Sequence, residues 1–407
     1  SIVDEEDTDE ELSSEDADLT FTVDNLVKDV SFEQMLTFIY SEDLRFKVGW
    51  QYKVLYMDYK ETFSDFDGVK LKSEPNIKSL YVTSIFRPMP LFSMNIGTRL
   101  SKYSAYKKTL IDPRIAFKYN PISDLAIKAS WGNFSQFLYT TNQEEELLRI
   151  VDFWQPIPDG DKPQQSEHYI LGAEYWISTG NTLSIEMYYK KYLHLYDLNP
   201  LVDPSDVQNT IAVSGIGDAY GVEFLYRLNI NKFSGWIGYA FSDIVREVDF
   251  NSDNEIWEDK EKYTAKYNKP HSFISVLNYS FNRYGKEYSV GLSFIYESGQ
   301  TYTAVIGKVH QAGYQNYGSL EKPYNYFGNI YAKKNGARYP DYFRVDMNFS
   351  KKSRLFGLDG KLKFQVINIL DYYNVLLYNW NHNASPSEVE AYSMFPRIFT
   401  LGWEFNI

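Results

Sequence analysis

These 407 residues contain no cysteine, so no disulfide framework, thiolate metal site or cysteine nucleophile can be proposed. Long apolar runs are also missing. No window approaches 18 consecutive apolar residues, which excludes a transmembrane helix. Histidine is scarce, and the five present (His168, His194, His271, His310 and His382) show no ligand or triad spacing. His310 and His382 fall in predicted loops, where a histidine is ordinarily solvated. There is no Gly-rich phosphate loop, no His-Glu-x-x-His and no Gly-x-Ser-x-Gly. Cysteine, histidine and the known motifs therefore offer no catalytic set, no metal site and no cofactor site. A basic excess is lacking too: 41 Lys and Arg stand against 54 Asp and Glu, a net charge of −13, which argues against nucleic acid as a partner. That acidity is local. Residues 1–18 hold ten acidic side chains and no basic one, while the remainder is close to neutral. Such a run predicts a solvated segment, with a calcium-binding or partner-docking loop as the alternative. The opening Ser1-Ile2-Val3 has no charged or apolar leader pattern, so a mature or partial chain is expected.

Aromatic residues are what the chain has in excess. The 36 Tyr, 27 Phe and 8 Trp make 17% of it. Tyr and Trp suit places where one end of a side chain is apolar and the other wet, as at a membrane–water boundary. The mean hydropathy of −0.42 does not oppose a membrane setting if the crossing is made by strands, because only alternate residues then face lipid. Period-2 alternation is the dominant pattern. Phe46, Val48, Trp50, Tyr52 and Val54 share one face against Arg45, Lys47, Gly49, Gln51 and Lys53; Tyr220, Val222, Phe224, Tyr226 and Leu228 oppose Gly221, Glu223, Leu225 and Arg227. The same alternation runs through 183–190, 343–350, 361–366 and 400–407.

Spacing separates a barrel from a soluble sandwich. Short polar turns are predicted at 41–43, 87–90, Asn120-Pro121, 179–181, 229–232, 282–285 and 357–360. Longer connections are predicted at about 59–75, 103–111, 134–165, 195–215, 247–268, 303–338 and 373–394. Short and long alternate strictly, as short periplasmic turns and long extracellular loops would, and as a Greek key would not. The prediction is an all-β, antiparallel transmembrane β-barrel with about fifteen strands between 19 and 407, in the bacterial outer membrane. With both terminal strands running inward, 1–18 becomes an extracellular loop remnant. Single-chain bacterial barrels have an even strand number, so an N-terminal part of the barrel is expected to lie outside this chain.

Several stretches resemble the C-terminal part of the barrel of TonB-dependent outer-membrane receptors. Asp112-Pro113-Arg114-Ile115-Ala116-Phe117 resembles a recurrent strand of that family, as do Tyr169 to Glu174, Glu186 to Tyr192 and Tyr220-Gly221-Val222-Glu223. Glu297 to Tyr302 is similar to its Ser-Gly-x-Pro-Tyr, with Thr301 in place of proline. Phe343-Arg344-Val345-Asp346 and Val366-Ile367-Asn368-Ile369-Leu370-Asp371 match two further strands. The resemblance implies a barrel of the 22-stranded, plugged kind, importing a scarce nutrient: a siderophore, cobalamin, glycan or peptide. It also implies an N-terminal plug domain, an inner-membrane TonB energy-coupling complex acting through it, contact with outer-membrane lipid, and room for a surface lipoprotein partner. The residues themselves leave open a passive channel, a structural or docking barrel, and an outer-membrane hydrolase.

Two sets of candidate residues follow. Glu186, Glu223, Arg227, Arg344, Asp346, Lys361 and Lys363 lie on faces opposite the apolar stripes. A charge facing lipid near the midplane would cost about 2–4 kcal/mol, so these residues are expected to line the lumen and meet a plug. Tyr314, Tyr317, Tyr324, Tyr326, Tyr378 and Trp380 lie in the aromatic-rich loops and are candidate ligand contacts, since rigid aromatic side chains grip ligands at low entropic cost.

Overall fold

The computed structural model describes residues 21–63, 66–141, 153–198, 212–249, 260–313, 324–355, 357–381 and 388–405. Among them there is no helix. Fifteen long strands follow one another as neighbours in an antiparallel meander from Phe21–Ile39 to Ile398–Phe405. Two shorter strands, Phe66–Ser73 and Lys260–Thr264, add pairing above Leu44–Phe63 and Phe233–Asp249. Among the described residues no ladder joins the first strand to the last. The acidic run 1–18 lies outside the described residues.

The expected alternation of connections is present, with two adjustments at its short ends. The strand Asn76–Met89 runs on through Arg87-Pro88-Met89 and turns at Pro90-Leu91, and Thr109–Ile122 runs through Asn120-Pro121 and reverses after Ile122. Pro88 and Pro121 sit where the register shifts, between Phe86 and Met89 and between Tyr119 and Ile122. A bulge leaves a residue unpaired, so a proline without an N–H is tolerated there. Elsewhere the turn chemistry is as read: Gly180, Asn231, Gly285 and Gly357 all adopt positive φ. Tyr284 does too, at φ 52, completing with Gly285 a two-residue hairpin of the kind that needs φ > 0.

Three of the long connections contain paired strands. Leu138–Thr141 pairs with Phe153–Pro156, Val305–Gly313 with Tyr324–Tyr331, and Val375–Asn381 with Glu388–Ser393. Pairing into hairpins gives the backbone groups of these segments their partners. The connection predicted over 103–111 shrinks to 104–108, because Phe92–Tyr103 and Thr109–Ile122 run on as paired strands.

Register places the two faces as the alternation requires. Met187, Val222 and Phe241 stand side by side on one face, Glu186 and Glu223 on the other. On the apolar face a belt of amphipathic rings crosses the wall on the loop side. Trp131 Nε1 and Tyr169 OH both donate to Glu167, at 2.8 and 2.7 Å. Tyr189 donates to Asp218, Tyr220 to Asp243 at 3.2 Å and Tyr296 to Asp341 at 2.8 Å, while Tyr239 meets His271 at 2.9 Å. Each ring lies toward the apolar band and each polar tip is anchored on its loop side. That is the geometry of an aromatic girdle at a membrane interface. Tyr169, Tyr189 and Tyr220 share one register row, whereas Tyr239 lies four residues below it on its own strand. The belt thus descends relative to the ladder toward the C-terminal strands, as strands tilted by about 35–45° demand.

Candidate functional site

The polar inner face carries its densest side-chain chemistry on strands 21–39 to 164–178. Glu33 accepts from Tyr81 OH at 2.6 Å and from Gln51 Nε2 at 3.3 Å, and Gln51 Oε1 accepts from Arg99. Asp112 is 2% exposed and accepts from Ser135 Oγ at 2.8 Å. The Arg114 guanidinium lies 4.4 Å from the Phe134 ring centroid, and that ring is 4.5 Å from His168. Around these groups are two adjoining cavities of about 550 and 530 Å³, and Arg99 and Arg114 line both. Two guanidiniums projecting into one cleft, with a single buried carboxylate beside them, can hold an anionic group by charge-assisted hydrogen bonds.

The upper cavity is covered by the connection after Gln136. Phe137, Leu138 and Trp154 close it. The hairpin Leu138–Thr141/Phe153–Pro156 touches strands 21–39 and 44–63 with one arm and strand 181–198 with the other, so it bridges across the strands between. It is held by a small core of Leu55, Ile77, Tyr103, Tyr139, Ile157 and Tyr196. Tyr103 OH donates to Ile157 O at 3.0 Å, Tyr196 OH to Lys162 O at 2.9 Å and Gln164 Nε2 to Leu138 O at 2.7 Å. Burial pushes the Tyr139 hydroxyl up to about 12. The hairpin is therefore a fixed bar over the inner face.

The charged residues expected on the inner face fall into two groups. Glu186 and Glu223 are exposed, directly opposite each other in register. Arg227, also exposed, lies two inward positions further toward the turn, opposite Thr182. Among the described residues none of the three has an ion-pair partner. Arg344 and Asp346 are instead bonded to each other at 3.1 Å. Asp346 also accepts from the Asn368 N–H at 2.8 Å and from Ser293 Oγ at 3.3 Å. Asn368, at φ 53, in turn bridges to Tyr372 O and Phe395 O. These two matching motifs thus form one buried joint that sets the exit of the penultimate strand. Lys363 pairs with Glu404, and Lys361 is exposed opposite Lys352.

Of the loop aromatics, Tyr378 sits in a trio with Tyr302 and Tyr339, their centroids 4.4 to 5.7 Å apart, so it ties two loops together. Tyr324 and Tyr326 lie in the strand paired with Val305–Gly313, and Trp380 lies opposite Val389. Tyr314 and Tyr317 lie outside the described residues. The site around Arg99, Arg114 and His168 was not singled out from sequence. Its signal was present, since Arg99 and Arg114 both stand on the polar side of alternating strands.

A family model described as TonB dependent receptor-like, beta-barrel, matches residues 5–369. Solved structures with the same fold include FpvA of P. aeruginosa bound to heterologous pyoverdines, at 12% identity and TM-score 0.59, covering 95% of this chain and 49% of that one. The FrpB iron transporter from Neisseria meningitidis matches at 11% identity and TM-score 0.59, over 94% and 55%. The siderophore receptor PirA from Acinetobacter baumannii matches at 11% and 0.57, again over 94% and 55%. The chain spans about half the length of these structures. No curated protein sequence matches it.

Proposed function

Because the chain belongs to the TonB-dependent receptor β-barrel family, we propose that it forms the C-terminal wall of a plugged outer-membrane receptor that imports a scarce nutrient. The observation that carries this reading is the Glu186–Glu223 pair. Like charges directly opposite on a sheet are destabilising, and neither carboxylate has an ion-pair partner among the described residues. A basic surface inside the barrel would resolve that repulsion, and Arg227 below them would take an acidic contact on the same body. A plug domain preceding this chain supplies such a surface. The strands bordering residues 21–39 and 398–405 would then come from the same N-terminal part, closing the wall and removing its edges.

In this reading the nutrient meets the loops, passes beside the fixed bar formed by 137–141 and 153–163 and reaches the cleft of Arg99 and Arg114. Siderophores, which several structural relatives take, commonly carry anionic or metal-chelating groups that suit such a cleft. Energy from an inner-membrane coupling complex acts on the plug, and the chain itself contributes wall, lumen and loops. Mass spectrometry of compounds co-purifying with the receptor from native membranes tests the reading. A bound small molecule whose uptake requires the coupling complex supports it. Uptake that continues unchanged without that complex contradicts it and points to a passive channel.

A further inference from the structure

On the outer face, strands 76–89 and 92–103 bear a groove of about 440 Å³ lined by Trp50, Tyr52, Leu80, Leu100, Lys78 and Lys102. Its position relative to the membrane follows from the belt. The rings step toward the loops on going from the C-terminal to the N-terminal strands, by about one residue per strand at the usual tilt. At about one residue per strand from Trp131, the interface crosses Asn76–Met89 near Tyr81 and Leu44–Phe63 near Trp50. The apolar part of the groove therefore lies at the edge of the hydrocarbon band, and the two lysines lie at headgroup height on the extracellular side.

The lysines are unusually placed. Lys78 and Lys102 are directly opposite in register, both exposed, and like charges so arranged repel. Lys107 and Lys108 follow in the adjoining five-residue connection, also exposed, and Lys102 Nζ donates to Lys107 O. Among the described residues neither Lys78 nor Lys102 has a carboxylate in ion-pair range; the nearby outward Asp58 is taken by Lys72 at 2.8 Å. Elsewhere the same belt is acidic, with Glu167, Asp218, Asp243 and Asp341. There Lys191 stands in register with Glu167 and Asp218, whereas the lysine pair over the groove faces no carboxylate.

We propose that this groove binds an anionic lipid of the outer leaflet, its phosphate held between Lys78 and Lys102 with Lys107 and Lys108 beside it, and an acyl chain lying along Trp50, Leu80 and Leu100. The phosphate removes the repulsion between the lysines, and the long lysine stems add to the apolar wall. This goes beyond nutrient import: it needs only the membrane placement of the wall.

The test is native mass spectrometry of the receptor purified from outer membranes, delipidated and titrated in detergent with bisphosphorylated lipid A, its dephosphorylated form, or inorganic phosphate. The wild type should retain one phosphorylated lipid. Lys78→Gln with Lys102→Gln should weaken retention at least ten-fold, while Lys78→Arg with Lys102→Arg and the inner-face control Lys361→Gln should keep it. Heat-modifiable gel mobility establishes that each variant is folded. Equal retention of the dephosphorylated lipid, unchanged retention in the double Gln variant, or binding of inorganic phosphate without the lipid would overturn the proposal.

Discussion

Phe224 and Leu225 are consecutive, yet the facing derived above assigns them to opposite solvents. Phe224 lies four residues below Tyr220 of the belt and in register with Tyr239, the belt residue of the next strand, which puts it in the outer part of an apolar band of about 25 Å. Its neighbours in register are Ile185 and Tyr239, both outward. Leu225 points inward between Ser184 and Gly238, where a long side chain reaches water. Phe224→Arg should therefore cost about 1–2 kcal/mol, between the interface and midplane values, a shift of roughly 5- to 30-fold in the folding equilibrium. Leu225→Arg should cost less than about 1 kcal/mol, in the range of substitutions away from packed or buried features. Guanidinium titration of refolding into phosphatidylcholine vesicles measures both. Equal losses, or a larger loss for Leu225→Arg, would refute the facing and with it the lumen.

Three further outcomes follow from the structure. Asp346→Ala strands Arg344 and the Asn368 N–H in a buried joint; it should cost roughly 1–3 kcal/mol and raise protease sensitivity near residue 368. Ile157→Ala empties the small core beneath the bar, so hydrogen exchange should rise across 137–141 and 153–163 while the global unfolding midpoint moves little, because local and global opening are separable. The Tyr139 hydroxyl is raised by burial from its ordinary 10.0 to about 12. Its neutral form therefore contributes stability that is complete below pH 10 and is lost as pH climbs toward 12. Proteolysis of the hairpin should increase across that window in the wild type and less in Tyr139→Phe.

The wall was legible in the sequence because period-2 alternation encodes which face each residue takes, and because the glycine and asparagine turns declare themselves locally. Pro88 and Pro121 misled for an equally local reason: proline signals a turn, but a bulge tolerates it within a strand. The bar over the lumen was not legible. Its defining contacts, such as Tyr103 to Ile157 across 54 residues of chain, arise from tertiary packing that leaves no periodic trace. The cleft of Arg99 and Arg114 depends likewise on the register of separate hairpins. Glu186 and Glu223 were found individually by their face, whereas their direct opposition became visible only with the ladder.

The central claim is that the inner face of this wall meets a plug. A cryo-electron-microscopy map of the receptor purified from native outer membranes tests it most directly. A folded body should fill the lumen, with basic groups within hydrogen-bond distance of Glu186 and Glu223. A continuous water-filled channel along that face would contradict it.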